Sequence, residues 1–401
     1  MAELVFDHAD GRHLAEDLRN RLAARAAALR LENLAPWFGS LERDPVHPSV
    51  YYLAVDGLGG TPLLLHLAPA SAPSSGFFPR SVLIARTRSR LHREIVVNAV
   101  PFGAADGENV LRYAAQVNRD FLPRPQGSRP AIVVSGPETA LPAAFDAFRA
   151  VLKRTGRNVA ALEPAGEAYA AAVWAAIRAG WREGYGLASG RLAAGSPEAA
   201  QEAVRRAPLA TRFPFDIPAP AGVAAPALSA EDLAWASGEP ATDISREEAA
   251  RLAGRFGPAL LAAERLFDTI REARAAGGHE RAFDFELMLD TTEELTSPAE
   301  LRFCLGWLKG RGRAAQFVAP NLGLRGGTPA SLDEFSGRLK ALAEAARLFH
   351  ATLAVTPGES ADDALMEAIG KATLGRVAVR LTAGEGGLRN RIAAAAAQLA
   401  G

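Results

Sequence analysis

Hydrophobic positions in the larger, C-terminal part of the chain follow two alternating patterns. Short continuous apolar runs predict buried strands, and longer segments with an apolar residue at every third or fourth position predict amphipathic helices. The predicted strands are Ala131–Ser135, Asn158–Glu163, Tyr185–Ser189, Ala210–Asp216, Phe283–Leu289, Ala314–Pro320, Ala351–Thr356 and Arg376–Thr382. The predicted helices are Leu141–Arg154, Glu167–Arg182, Pro197–Arg205, Ile244–Ala276, Ala299–Gly310, Leu332–Phe349, Ala361–Lys371 and Leu388–Leu399.

This alternation predicts an α/β fold with a parallel sheet covered on both faces. The number of strand–helix repeats favours a closed (β/α)8 TIM-type barrel over an open sheet. No GxGxxG or GxxxxGK[ST] segment follows a predicted strand, which argues against an open nucleotide-binding sheet. The proline-rich stretch 217–243 is too long for an ordinary strand–helix loop. We therefore predict an insertion there, either over the mouth of the barrel or as a surface excursion without a role.

The first part of the chain has a different pattern, in which short apolar runs are separated by Gly, Pro and Ser clusters. We predict a helix over residues 12–30, strands at Val50–Val55, Leu63–Leu67, Ser81–Ala85 and Glu94–Val100, and a helix from Glu108 to Asn118. This pattern indicates an N-terminal α+β extension over residues 1–128, followed by the barrel over residues 129–401. The extension could be a lid, an interface or a stabilising addition.

Composition excludes several classes of protein. Lys+Arg and Asp+Glu both number 45, so the formal net charge of +0 gives no indication of a nucleic-acid or anionic-membrane partner. The single cysteine, Cys304, excludes an internal disulfide and a cysteine-based zinc cluster, and it fits a reducing compartment. Neither a signal-peptide pattern nor a membrane-spanning apolar stretch is found, so we expect a cytoplasmic protein that binds a small molecule and is compatible with a homo-oligomer.

The candidate site residues are polar side chains at the carboxyl ends of the predicted strands, where barrels of this type build their sites. Glu286 lies inside an apolar run, where a carboxylate is costly without a partner. Strand alternation places Glu286 on one face with Met288, and Asp290 extends that face by one step. A pair of carboxylates suits proton abstraction next to a carbonyl group or an oxygen-ligated divalent metal. We predict Glu286 and Asp290 as catalytic residues, although Asp290 could equally cap a helix.

Other strand ends supply groups that could bind a substrate. We predict this role for four residues, Glu163, Asp216, Asn321 and Arg380. Arginine provides a bidentate clamp for a carboxylate or a phosphate. None of the seven histidines falls at a predicted strand end, which disfavours a His-rich zinc or iron site. No predicted strand contains a lysine, which disfavours a Schiff-base aldolase.

Several segments resemble one family of enzymes. They are VNAVPFGAADGENV (97–110), AVWAAIRAGWREGYG (172–186), FELMLDTTEELTSPAELRF (285–303), QFVAPNLG (316–323), SLDEFSGRLKALAEAA (331–346) and GKATLGRVAVRLTAG (370–384). In order and spacing they are similar to the tagaturonate epimerase family over most of residues 90–385. That resemblance implies a metal-dependent sugar-acid epimerase that interconverts tagaturonate and fructuronate. Glu286 and Asp290 match the family's carboxylates on the fifth strand.

The sequence departs from the family's pattern where metal ligands and proton-transfer groups are expected. Residues 187–193 replace a stretch that contains Asp and His, and residues 356–361 replace a His followed by Ser-Gly-Ser-Asp-Lys. Ala378 stands at a His position and Arg380 at a Lys position. Most of the implied ligands are therefore absent, and the cofactor is left unknown.

Two interpretations follow from this pattern. The chain is a diverged epimerase-like isomerase acting on a carbohydrate acid, or a non-catalytic barrel that serves as a binding or regulatory module. Three or more convergent oxygen ligands at the mouth would support the enzyme, whereas an apolar or filled mouth would support the module.

Overall fold

The computed structural model describes residues 34–56, 62–71, 81–88, 93–166, 168–193, 197–217, 244–277, 282–324, 329–359, 361–384 and 387–399. The helix predicted over residues 12–30 lies outside these residues, as does the predicted insertion apart from Ile217. None of the described helices is long and apolar enough to cross a membrane. The chain divides into two compact units, residues 1–122 with 170–184, and residues 123–169 with 185–401. In this division residues 170–184 group with the first unit.

An antiparallel sheet of five strands forms the first unit, in the order β1-β2-β3-β5-β4. Its elements are β1 (Leu34–Arg43), β2 (Val50–Asp56), β3 (Pro62–Pro69), β4 (Val82–Arg88), β5 (Glu94–Pro101) and the helix α1 (Gly107–Gln116). The predicted strands and the second predicted helix are therefore present, whereas β1 was not predicted. The run LAPWFGSLER contains Pro36 and Gly39, which are depleted in strands. Proline is tolerated here because β1 is an edge strand, and its register shifts between Trp37 and Glu42.

Residues 170–184 belong to the first unit through side-chain and backbone contacts. The rings of Trp37 and Trp174 meet edge to face at 5.9 Å, and Trp174 Nε1 donates to the carbonyl of Phe102 at 3.0 Å. Gly180 has a positive φ of 61°, and a Cβ on it would lie 1.8 Å from the carbonyl oxygen of Gly39. Only glycine fits this close approach of two backbones.

The second unit is a curled parallel sheet with helices between its strands. Its strands are β6 (Ala131–Gly136), β7 (Ala160–Pro164), β8 (Gly186–Leu187), β9 (Leu192–Ala193), β10 (Arg212–Asp216), β11 (Asp284–Met288), β12 (Phe317–Ala319), β13 (Thr352–Val355) and β14 (Val377–Thr382). The helices are α2 (Leu141–Thr155), α3 (Tyr169–Ala179), α4 (Pro197–Arg206), α5 (Arg246–Ala276), α6 (Pro298–Gly310), α7 (Leu332–Leu348), α8 (Asp363–Thr373) and α9 (Leu388–Gln398), of which α3 falls mostly in the first unit. Every predicted strand and helix of the proposed barrel is present, and β9 is an addition.

The strand order is β8-β7-β6-β14-β13-β12-β11-β10-β9, which makes a half-barrel compatible with a TIM-like fold. The prediction of a closed barrel was wrong for these strands, because no ladder joins β8 to β10. A single bridge links Ala188 to Arg212, with hydrogen bonds from Thr211 N to Leu187 O and from Ser189 N to Arg212 O. The pairing stops there because the chain turns at Gly190, whose φ is 77°.

The concave face of the sheet carries small side chains. A buried cluster on this face contains Ala131, Val133, Ala161, Met288, Phe317, Ala319, Ala354 and Ala378. Alternation places Glu286 on this face with Met288, and Arg380 with Ala378. Alanine leaves more volume than the branched residues that usually fill such interiors. The interior can therefore accommodate long charged side chains.

At the amino end of the sheet, Asp284 is 2% exposed and accepts hydrogen bonds from two backbone amides. The donors are Gln126 N at 2.6 Å and Gly127 N at 2.8 Å. Burial raises the pKa of Asp284 to about 6, against the lowering effect of these donors. Asp284 therefore fixes the loop before β6 but is poorly solvated when ionised.

The start of α6 offers a test of local stability. Ser297 caps the helix in a capping box: its Oγ accepts from Glu300 N at 3.2 Å, and Glu300 Oε2 accepts from Ser297 N at 2.8 Å. We expect Ser297→Ala to lower the free energy of unfolding by about 1 kcal/mol, since it leaves a helix N–H without an acceptor. Chemical denaturation followed by circular dichroism would measure the loss. Ser331→Ala is the matched control at the start of α7, where the equivalent bond to Glu334 N is longer, 3.4 Å. An effect no larger than that of the control would contradict the prediction.

Candidate functional site

Polar side chains converge on the concave face of the parallel sheet and at the carboxyl ends of its strands. They come from strands that are distant in sequence but neighbours or near neighbours in the sheet. The residues involved are Ser135 on β6, Glu163 on β7, Arg212 and Asp216 on β10, Glu286 on β11 with Asp290 just after it, and Arg380 on β14. All the predicted site residues except Asn321 fall in this group, together with Arg212.

Glu286 lies at the centre of the group and is fully buried, with 0% exposure. Its Oε2 accepts a hydrogen bond from Arg212 Nε at 2.8 Å and a second, short one from Arg380 Nη2. Glu286 and Arg212 sit on adjacent strands, since β10 and β11 pair in register. Arg380 reaches Glu286 from β14, across the concave face.

Arg380 also contacts a second carboxylate. Its Nη1 donates to Glu163 Oε2 at 3.2 Å, and Ser135 Oγ donates to the same oxygen at 2.8 Å. The planar guanidinium group suits such bridging because its donors point in fixed, divergent directions. The side chain of Arg380 therefore ties three strands together, β7, β14 and β11.

The pKa values follow from burial and from these ion pairs. Burial alone would raise the pKa of Glu286, but the charges of Arg212 and Arg380 outweigh it and hold the pKa below its ordinary value. Burial lowers the pKa of Arg212, whereas for Arg380 the nearby Glu286, Glu163 and Asp290 outweigh burial and raise it. Glu286 is therefore an ionised carboxylate held by two cations.

Some polar atoms of this buried cluster lack hydrogen-bond partners among the described residues. They are Glu286 Oε1, Arg212 Nη1, Arg212 Nη2 and Arg380 Nε. Part of the cost is offset for Arg212, whose guanidinium carbon lies 3.7 Å from the centroid of the Phe317 ring. An incompletely satisfied buried cluster is sensitive to the loss of any one member.

A second group of charges, Arg191, Asp216 and Asp290, lies at the rim of the mouth, as we call the region at the carboxyl ends of the parallel strands. Arg191 is 39% exposed and forms a bidentate pair with Asp290, with Nη1–Oδ1 and Nη2–Oδ2 distances of 3.1 and 2.7 Å. Arg191 Nη1 also lies 3.6 Å from Asp216 Oδ1, which accepts from Thr291 Oγ1 at 3.1 Å. Burial raises the pKa of Asp290 despite this arginine. Asp290 is thus the partly exposed carboxyl group of the mouth that is easier to protonate than an ordinary aspartate.

A cavity of about 340 Å³ opens beside Asp290 at the ends of β11, β12 and β13. Its lining residues are Asp290, Thr292, Ala319, Pro320, Asn321, Leu322, Gly323, Leu324, Ala354, Val355 and Thr356. Asn321 lies in the wall, but its side-chain amide donates to the carbonyls of Thr292 and Glu294, and its Oδ1 accepts from Gly323 N. Asn321 therefore shapes the loop around the cavity.

Arg212 and Arg191 stand near predicted strand ends but were not among the predicted site residues. Arg212 pairs with Glu286, and Arg191 pairs with Asp290. A signal for Arg212 was available: it is a charge inside a predicted buried strand, as Glu286 is, and such a charge requires a partner. Arg191 follows a short strand and a glycine, and nothing in the local sequence indicates its partner.

The side chains at the mouth do not fit the divalent metal that the family resemblance implies. Within the described part of the chain, no group of three or more His, Cys, Asp or Glu is placed to hold a metal ion. The strand-end carboxylates face guanidinium groups instead of one another. Oxygen ligands that converge without an intervening cation are what a divalent metal requires.

Comparisons with known proteins agree on the fold. No protein-family model matches the chain, and no curated protein matches it. A crystal structure of fructuronate-tagaturonate epimerase UxaE from Cohnella laeviribosi with one glycerol matches with a TM-score of 0.63 and 17% identity, over 92% of this chain and 75% of that chain. The native structure of the same enzyme matches with a TM-score of 0.56 and 14% identity, over 90% of this chain and 75% of that chain. At such identities the likeness shows a shared fold. The family resemblance of the sequence is thus confirmed as a distant structural relationship: this chain has the fold of a sugar-acid epimerase.

Proposed function

We propose that this chain is a diverged, epimerase-like isomerase that acts on a carbohydrate acid at the mouth of its curled sheet. The observation that carries the proposal is the cavity beside Asp290. Its volume of about 340 Å³ lies in the range of small-molecule sites, and its wall includes the carboxylate of Asp290 and the threonine Thr356. Such groups exchange hydrogen bonds with the hydroxyls of a sugar.

The structural likeness supports the same class of ligand. Three solved structures that cover 90–92% of this chain belong to an enzyme named for fructuronate and tagaturonate. Ligands of this fold class bind at the carboxyl ends of the strands, where the cavity lies. Tagaturonate and fructuronate are therefore the first compounds to test.

We propose different roles for the two predicted catalytic residues. Asp290 borders the cavity and is partly exposed, and its raised pKa suits a group that gives and takes a proton. Glu286 has no exposed surface, and two arginines share one of its oxygens. Its proposed role is to hold Arg212 and Arg380 in place beneath the cavity.

Replacing Asp290 by asparagine tests this assignment. We expect Asp290→Asn to reduce interconversion of tagaturonate and fructuronate by about 10²-fold or more, which is typical for the loss of a general acid or base. Nuclear magnetic resonance of the uronate mixture would measure the rate, and calorimetry would measure binding. Asp216→Asn is the matched control, because Asp216 shares Arg191 but does not line the cavity. Equal rates for Asp290→Asn and the wild type would remove Asp290 from the reaction.

One observation favours the second interpretation, a non-catalytic binding module. The interior beneath the cavity is filled by ion pairs, where convergent oxygen ligands would have supported the enzyme. This alternative predicts that the wild type binds a uronate in the calorimeter but interconverts it no faster than buffer does. Measurable turnover would exclude it.

A further inference from the structure

Two carboxylates at the mouth, Glu163 and Glu286, share an arginine where the family resemblance implies a divalent metal ion. Glu163 and Glu286 come from β7 and β11, which are separated in the sheet by β6, β14, β13 and β12. The guanidinium group of Arg380 lies between them, with Nη1 at 3.2 Å from Glu163 and Nη2 in contact with Glu286. A single cation therefore joins carboxylates from two distant strands.

We propose that the guanidinium group of Arg380 takes the place of a divalent cation between Glu163 and Glu286, so that this mouth works without a metal ion. The inference rests on the proposed function only in assuming that the mouth binds a substrate. Its evidence is the pairing of Arg380 with Glu163 and Glu286. Arg380 is 4% exposed and Glu286 is fully buried, so the pair is part of the interior and not a mobile surface contact.

The electrostatics of the cluster oppose an added metal ion. Arg212 contributes a second positive charge at Glu286, with its Nε 2.8 Å from Oε2. A divalent ion bound to Glu286 would face both guanidinium groups in a buried environment, where like charges repel strongly. At the rim, Arg191 already occupies both oxygens of Asp290. Glu163, Glu286 and Asp290 are thus each paired with an arginine.

The arginine also supplies what a cation would supply in this place. It pairs with both carboxylates and fixes their positions with directed hydrogen bonds, and together with Arg212 it balances their two negative charges. Unlike a metal ion, it is covalently part of β14 and cannot be removed by a chelator. The proposed consequence is that the geometry of the mouth is independent of metal supply.

The first test is the metal content of the full-length protein. After expression with added Mn²⁺, Ni²⁺ and Zn²⁺, mass spectrometry should find no ion in stoichiometric amount, and a chelator should leave the melting temperature unchanged. One ion per chain that is lost to the chelator together with thermal stability would overturn the inference.

Two substitutions at one position test whether the guanidinium group stands in for the cation. Arg380→Met leaves Glu163 and Glu286 facing each other without their shared cation, so Mn²⁺ should bind this variant about tenfold or more tightly than it binds the wild type and raise its melting temperature. Arg380→Lys keeps a positive charge and should show no gain. Equal Mn²⁺ responses in the wild type and Arg380→Met would overturn the inference. If Arg380→Met does not fold, the metal contents of the wild type and of Arg380→Lys test the inference, and a stoichiometric ion in the wild type would overturn it.

Binding of tagaturonate measured in chelator separates this inference from the proposed function. Binding without any metal supports both. Binding that appears only after Mn²⁺ is added overturns the inference and leaves the function standing. Absence of binding in either condition contradicts the proposed function, and the ion count still decides the inference.

Discussion

Replacement of Glu286 by alanine is expected to lower the free energy of unfolding by about 3–5 kcal/mol, the range for breaking a buried ion pair from one side. Arg212 and Arg380, which are 1% and 4% exposed, would be left beside each other without their common carboxylate. Their mutual repulsion and the vacated volume both destabilise the folded state. Urea denaturation of the wild type and the variant, followed by circular dichroism, would measure the difference.

Two controls identify the cause of this loss. Glu286→Gln keeps the volume and an acceptor oxygen, so it isolates the loss of charge and should cost less than alanine. Asp290→Ala removes a carboxylate that also pairs with one arginine but is 23% exposed, and surface pairs contribute about 1 kcal/mol or less. The substitution of Glu286 should also change the ligand-binding signal, because the floor of the mouth would rearrange. A loss for Glu286→Ala as small as that for Asp290→Ala would contradict the buried ion-pair network.

The second large effect concerns pH and the amino end of the sheet. Burial raises the pKa of Asp284 from 3.8 to about 6. A carboxyl group whose pKa is raised in the folded state contributes stability that is fully present below its unfolded pKa and is lost as pH rises through about 6. Because one pKa unit corresponds to about 1.4 kcal/mol, the ionisation of Asp284 costs about 3 kcal/mol by neutral pH.

Asparagine at position 284 cannot ionise, so it avoids that loss. We expect the stability of Asp284→Asn relative to the wild type to increase by about 2–3 kcal/mol between pH 4 and pH 7.5. Denaturation curves of both proteins at several pH values would measure this difference in the free energy of unfolding. Other titrating groups affect both proteins equally, so their contributions cancel. Asp284→Ala should share the pH dependence but have a lower stability at every pH, because Gln126 N and Gly127 N lose their acceptor. A difference between Asp284→Asn and the wild type that does not change with pH would show that Asp284 has an ordinary pKa.

The succession of strands and helices along the second unit could be predicted from the sequence, and Glu286 shows how far the prediction extended into the site. A carboxylate inside an apolar strand must have a partner, and this was predictable. The identity of the partners was not, because Arg212 and Arg380 lie 74 and 94 residues away along the chain. Which strands face each other across a curled sheet depends on its curvature and register, and neither is encoded in a local pattern.

Asn321 and β8 illustrate two other limits of local patterns. Asn321 was predicted to bind substrate because it follows a strand. It lines the cavity, and its amide also donates to the carbonyls of Thr292 and Glu294, so substrate binding by Asn321 stays a prediction. Strand-end position indicates proximity to a site and does not distinguish a ligand-binding side chain from one that supports a loop. The run Tyr185–Ser189 reads as a full strand, but only Gly186–Leu187 extend the ladder with β7. The glycine that turns the chain at position 190 decides whether the sheet closes.

The grouping of residues 170–184 with the first unit has a consequence for protein synthesis. Trp174, Gly180 and Arg182 contact residues that are made more than a hundred positions earlier, including Trp37, Gly39 and Glu42. The ribosome must therefore complete β6, α2 and β7 of the second unit before the first unit has all its parts. The first unit is therefore complete only once residue 184 has been made, and a gene fragment that ends at residue 122 would encode an incomplete unit.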